Sequence, residues 1–175
     1  MNHSALQLEH YELDSLHIEP VEGYIPAGTA KYPSFNNADF NSSVEFGQAA
    51  RGDDQPNYLW GIKLRLQAEP KEGSSFPYRF DITIVGFLNG ERLVEDTHKR
   101  EDLVLVNGTS LLYGAVRDEV LRLTSRMRHG SLLLPTSSFH GLAKSHGSGK
   151  SEEPKPAIET APKRRIKADN AKTAD

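Results

Sequence analysis

The sequence contains no cysteine. That absence removes thiolate nucleophiles, disulfides, iron–sulfur clusters and any zinc site that needs sulfur, and it suits a reducing compartment. No run approaches the roughly 18 apolar residues of a membrane-spanning helix. The start, Met1-Asn2-His3-Ser4, has neither the basic residues nor the apolar stretch of an export signal. Together these absences predict a cytoplasmic protein with no membrane insertion.

Signatures of chemistry are missing as well. There is no Gly-x-x-x-x-Gly-Lys-Ser/Thr loop, no Gly-x-Gly-x-x-Gly after a strand and no Gly-x-Ser-x-Gly elbow. Gly147-Ser148-Gly149-Lys150-Ser151 follows no strand and opens no helix. The seven histidines, His3, His10, His17, His98, His129, His140 and His146, form neither an i, i+4 pair nor a cluster with carboxylates of the kind that holds a metal. His10 and His17, seven residues apart, fall on opposite faces of a regular strand. The acidic neighbours Asp53-Asp54, Glu101-Asp102 and Asp118-Glu119 point apart on either kind of element. No catalytic residue, metal ligand or cofactor is nominated, and the expectation is a protein that is not an enzyme.

The composition divides the chain in two. All 14 aromatic residues lie at or before Phe139, and residues 140–175 hold nine apolar side chains, most of them alanine. Residues 1–139 carry 13 Lys/Arg against 19 Asp/Glu, and residues 140–175 carry 8 against 5. The expectation is an acidic domain over 1–139 and a disordered basic tail over 140–175. The knot Lys163-Arg164-Arg165-Ile166-Lys167 resembles an acidic-surface or nucleic-acid contact, but a solvated end is the favoured reading and nucleic acid is not an expected partner.

Within the domain, Leu6 to Ile18 alternates apolar and polar with slips of parity, which predicts a strand with bulges or a bend and one face buried. A long connection from Pro20 to Ser43 follows, with Tyr24, Ile25, Tyr32, Phe35 and Phe40 set among glycines and prolines. Two further strands are predicted at Ser43–Ala50 and Tyr58–Ala68. Then comes the turn Lys71–Ser75 and a fourth strand through Tyr78, Phe80, Ile82 and Ile84, antiparallel to the third. A charged connector, Glu91 to Glu101, leads to a helix of about 20 residues capped by Asn107 or Thr109. Its apolar stripe runs through Leu112, Val116, Val120, Leu123 and Met127, Asp118 and Arg122 form a local ion pair, and His129-Gly130 stops it.

These elements define an α+β fold: a four-stranded antiparallel sheet, a crossover connection and one long packing helix. One helix leaves sheet surface uncovered. Self-association is therefore expected, through edge strands and the helix. The five apolar residues of the long connection either line a groove with adjustable walls or simply pin the connection down.

Leu111-Leu112-Tyr113-Gly114-Ala115-Val116-Arg117-Asp118, continuing through Thr124-Ser125-Arg126 to Gly130-Ser131-Leu132-Leu133-Leu134-Pro135 and Phe139, resembles the helix and following segment of the SecB family of protein-export chaperones. The strands from Leu6-Gln7-Leu8 to Leu16-His17-Ile18-Glu19-Pro20 resemble it more weakly. The resemblance implies a homo-oligomer, dimer or tetramer, that holds unfolded polypeptides in apolar grooves without ATP and delivers them to the SecA motor. It makes Tyr24, Ile25, Tyr32, Phe35 and Phe40 the client-binding residues, and Glu19 and Asp81 the acidic positions that meet SecA. Ser15 takes the place of a third carboxylate, with Asp14 beside it, and Arg79 replaces an apolar residue. Gly114 stands where a proline often sits, and the segment after Phe139 lacks the family's further helix. These departures mark a divergent member. Divergent relatives include chaperones dedicated to one partner such as an antitoxin, and the alternative from another class is a structural or adaptor domain.

Overall fold

A computed structural model describes residues 3–26, 35–48, 58–73, 75–94 and 96–143. Four strands, β1 (Gln7–Pro20), β2 (Ala38–Gln48), β3 (Leu59–Pro70) and β4 (Tyr78–Asn89), precede one helix, α1 (Thr97–Thr124). The strands form a single antiparallel sheet in the order β1-β4-β3-β2. β1 and β2, consecutive in the chain, thus occupy opposite edges of the sheet, as the expected crossover requires. The expected fold class is the one observed.

Period-two alternation sends Trp60, Ile62, Leu64, Leu66 and Ala68 of β3, and Tyr78, Phe80, Ile82, Ile84 and Leu88 of β4, to one face, where all are buried. Helix α1 packs mainly on these two strands. Close approach depends on two glycines. A Cβ on Gly108 would stand 2.5 Å from Ile62 Cδ1 and 2.9 Å from Leu88 Cδ2, and one on Gly86 would stand 2.5 Å from Leu112 Cδ2. A side chain at either point would force these packed side chains to shift.

Three local expectations are corrected. β2 starts at Ala38, five residues before the expected Ser43, so Phe40 belongs to a strand and not to the connection. Helix α1 begins at Thr97, well before the expected opening near Ser110, and spans 28 residues. Its cap is Asp96, whose carboxylate accepts from the Lys99 N–H at 3.2 Å. Asn107 and Thr109 are mid-helix: the Asn107 amide donates to the Leu103 carbonyl at 2.9 Å, and Thr109 is buried. The charges of Glu91–Glu101 concealed the first turns, although Leu103-Val104-Leu105-Val106 already supplied apolar residues. The partner of Arg122 is Glu119, not Asp118, with Arg122 Nε donating at 2.9 Å, because the three-residue spacing presents the better geometry here.

After α1 the chain turns at Gly130 (φ +78°) and returns along the helix in extended form. The Leu132 N–H donates to Thr124 Oγ1 at 2.8 Å, Arg117 Nε to the Leu134 carbonyl at 2.7 Å, and the Tyr113 hydroxyl to the Pro135 carbonyl at 2.6 Å. Leu132 and Leu134 join the core, and Phe139 meets Tyr113 edge-on at 5.5 Å. A 3-10 turn, His140–Leu142, carries the described chain past Phe139. The tail beyond residue 143 lies outside the described residues.

Candidate functional site

An α-helix about 10 Å across covers roughly two strands spaced about 4.8 Å apart. With α1 seated on β3 and β4, the core-facing sides of the edge strands β1 and β2 are left partly open. On β2 that side carries Phe40, opposite Ala68, and Phe46, opposite Ile62. Phe46 lies flat against Trp60, with ring centroids 5.0 Å apart and planes at 5°.

Phe40 is 42% exposed and sits at the rim of an aromatic cluster. Its ring centroid is 5.5 Å from Phe35, 5.5 Å from Phe76 and 6.1 Å from Phe80, and Phe35 is 5.6 Å from Phe76. Phe76 and Phe80 are buried, and Phe35 is half-buried. Edge-to-face packing of this kind adds about 0.5–1.5 kcal/mol per pair beyond area burial. The inner rings hold the outer ring in place while leaving its far side in water.

The other end of the crossover is tied down by polar contacts. The Val21 N–H donates to the Pro77 carbonyl at 2.9 Å, His129 Nε2 lies 2.9 Å from the Val21 carbonyl, and Arg128 donates to the Pro20 carbonyl at 3.3 Å. Tyr24 tilts against the His129 ring at 4.8 Å, and Tyr78 stands 5.9 Å from the same ring. The Tyr78 hydroxyl donates to the Gly130 carbonyl at 2.6 Å, and burial pushes its pKa up. Ile25, one residue on from Tyr24, is 77% exposed.

Of the five nominated apolar residues, Phe35 and Phe40 are thus brought together, Tyr24 is half-buried at the crossover root, and Ile25 points into solvent. Tyr32 lies outside the described residues. Residues the periodicity assigned to a buried face are exposed instead: Tyr11, Leu13 and Leu16, on the core-facing side of β1, are 49%, 40% and 39% exposed. The signal for them was present in the element count, since one helix cannot cover four strands.

The opposite face of the sheet is charged. Glu19 and Asp81 both lie on it, each held by arginine. Arg79 Nη1 contacts Glu19 Oε1 at 2.5 Å and also grips Glu69, with Nε to Oε1 at 2.8 Å. Arg65 binds Asp81 in a two-pronged pair at 2.9 and 2.5 Å, and Gln67 adds a donor at 3.0 Å. The hydrogen bonds from Arg79 hold the carboxyls of Glu19 and Glu69 below the ordinary carboxylate range, and Arg65 does the same for Asp81. A shallow cleft lined by Glu19, Glu22, Arg79 and Arg128 opens beside the crossover root.

Two bulges, between Leu8 and His10 and between Leu13 and Ser15, reset the parity of β1. The second corrects the expectation for the histidines. His10 pairs across with Phe87 and His17 with Asp81, so both project from the charged face. Among the described residues no group of three His, Asp or Glu could hold a metal, and no helix is long and apolar enough to cross a membrane.

No family model matches the sequence, and no curated protein matches it. Solved structures do resemble the fold. A SecB-like chaperone of Mycobacterium tuberculosis, in complex with a peptide from an antitoxin, aligns with 17% identity and a TM-score of 0.43 over 76% of this chain and 91% of that one. A protein of unknown function from Streptococcus agalactiae aligns with 14% identity and a TM-score of 0.44, over 74% of this chain and 96% of that one.

Proposed function

We propose that this chain is an ATP-independent molecular chaperone of SecB-like type that binds unfolded or precursor polypeptides on apolar surface at the crossover and the edge of β2. The observation that carries the reading is Phe40: a large ring fixed by three aromatic neighbours yet 42% exposed. With Ile25, Phe35, Tyr24 and Tyr32 it would offer a client apolar contact worth roughly 25 cal/mol for each Å² removed from water. As the outer strand of the sheet among the described residues, β2 would add backbone hydrogen bonds to an extended chain. The acidic balance of residues 1–139 favours basic, aromatic-rich clients.

Delivery to SecA through Glu19 and Asp81 belongs to the same proposal. Both carboxylates already face arginines within the sheet, so an incoming basic partner would have to displace Arg79 and Arg65. That arrangement favours a second reading in which the protein serves one dedicated partner, as a chaperone of an antitoxin-like chain or as an adaptor.

Aggregation of several unrelated denatured proteins, followed by light scattering with and without the full chain, separates the two. Suppression across the panel is expected of the general chaperone, and one tight partner with no suppression of the adaptor. Phe40→Ser should weaken capture at least about fivefold, the equivalent of about 1 kcal/mol of apolar contact, with an unchanged circular dichroism spectrum. Equal affinity for folded and unfolded forms of one client removes the chaperone reading.

A further inference from the structure

Trp60, the only tryptophan of the chain, is a buried donor without an acceptor. It lies on β3 beside the edge strand β2 and is 3% exposed, yet among the described residues its indole Nε1–H has no hydrogen-bond partner. Buried indoles ordinarily find one, because an unpaired N–H destabilises the state that holds it. Thr109 Oγ1 is unpaired as well, but it belongs to α1. Trp60 is the one whose backbone pairs directly with an edge strand.

A ring from that edge strand covers the indole face. Phe46 lies flat on it, with centroids 5.0 Å apart and planes at 5°, and is itself half-buried. In the ladder Phe46 is opposite Ile62, Trp60 is opposite Gln48, and between these two rungs stands the pair Gly47 and Gly61. That rung has no side chains to pack; a Cβ on Gly47 would meet nothing within 4 Å, and glycine inside a strand weakens it. β2 ends one residue later, at Gln48. Strand ends with few packed contacts open locally at low cost, so Phe46 can leave Trp60 while the row through Leu64 and Leu66 stays closed.

We propose that Phe46 is a built-in stand-in on Trp60, displaced when an aromatic residue of a bound polypeptide stacks in its place and that residue's main-chain carbonyl accepts the indole N–H. The inference rests on the polypeptide-binding reading above and adds to it a pair of specificity-determining residues.

The stacked phenyl ring shows the shape that the indole face accepts, and the orphaned N–H shows what Phe46 leaves unmet. An incoming aromatic residue brings ring and acceptor together, so it exchanges one stack for another and gains a hydrogen bond. An aliphatic residue brings the acceptor but forfeits the stack. Apolar contact by itself is non-directional and would not distinguish the two. The choice of aromatic over aliphatic therefore falls to Trp60, and Phe46 sets how much of the gain is given up in opening the site, because the apparent affinity is reduced by the fraction of molecules in which it has swung away.

With a single tryptophan, the fluorescence of the full chain reads this site directly. The probes are end-blocked glycine-serine peptides carrying one central phenylalanine or one central leucine. The phenylalanine peptide should shift the Trp60 emission saturably and bind about fivefold tighter than the leucine peptide. Phe46→Ala, which removes the internal competitor, should tighten the phenylalanine peptide about fivefold. Phe46→Leu, which keeps apolar bulk over β3 and so guards the fold, should tighten it by a smaller factor. Trp60→Phe, followed by calorimetry, keeps a ring and deletes the N–H; it should weaken the phenylalanine peptide about tenfold with an unchanged circular dichroism spectrum. No response of Trp60 to the phenylalanine peptide, equal affinity for the two peptides, no tightening in either Phe46 variant, or full binding by Trp60→Phe overturns the proposal. Suppression of client aggregation without these peptide effects would remove this inference and leave the chaperone reading standing. Peptide effects without suppression would uphold the Trp60 site and remove the general chaperone.

Discussion

β1 and β3 carry the same alternating pattern and meet different fates. Along β3, Ile62, Leu64 and Leu66 are at most 7% exposed; along β1, Tyr11, Leu13 and Leu16 are 39–49% exposed. Both rows lie on the same face of one sheet. The difference is position: β3 is central and roofed by α1, whereas β1 is at the rim. Alternation states which face a side chain takes, and the place of the strand in the sheet states whether that face is covered.

The comparison can be broken by truncation. Leu64→Ala on β3 should cost about 2–5 kcal/mol in chemical denaturation, since it leaves a cavity in a closed core. Leu13→Ala on β1, measured at high dilution, should cost less than about 1 kcal/mol because the removed atoms already touch water. Similar losses at the two sites would show that β1 is roofed by something after all.

It can be sharpened at the roof itself. Gly108→Val would drive new carbons into Ile62 and Leu88 and should destabilise by about 3 kcal/mol, with α1 lifted from β3 and β4. Gly114→Ala, at a helix position with nothing within 4 Å, should instead stabilise by about 0.5–1 kcal/mol. If both glycines behaved alike in thermal melts, the close approach at Gly108 would be refuted.

The smallest effect concerns the charged face. Glu19 and Glu69 have their pKa values lowered by Arg79, and Asp81 by Arg65. A carboxylate lowered on folding binds fewer protons in the folded state. Its contribution is complete above the ordinary range near pH 4–5 and is lost as pH falls through the lowered value. Arg79→Gln should therefore flatten the rise of stability with pH through the acid range, leaving the share from Asp81 and Arg65 intact. An unchanged slope in urea titrations from pH 3 to pH 6 would mean that Arg79 does not hold these acids in solution.

Much of the fold was legible residue by residue. The strand of Tyr58 to Ala68 and the row Tyr78, Phe80, Ile82, Ile84, with the turn Lys71–Ser75 between them, announced a hairpin, and the slips in Leu6–Ile18 announced an irregular strand that the structure shows to be bulged. The start of α1 was hidden because Thr97-His98-Lys99-Arg100-Glu101 looks like solvated loop until Asp96 is seen capping it. At the candidate site, Phe35 and Phe40 could be nominated as unusual aromatics, but their shared cluster with Phe76 and Phe80 joins segments some 40 residues apart.

The faces of β3 and β4 and the turn between them follow from the sequence by itself, because a two-residue period is a property of neighbouring peptide units. Only the tertiary structure decided which apolar residues stay wet and which acids are neutralised. Those outcomes depend on the width of a helix against the width of a sheet, and on arginines delivered from other strands, distances that no local pattern encodes.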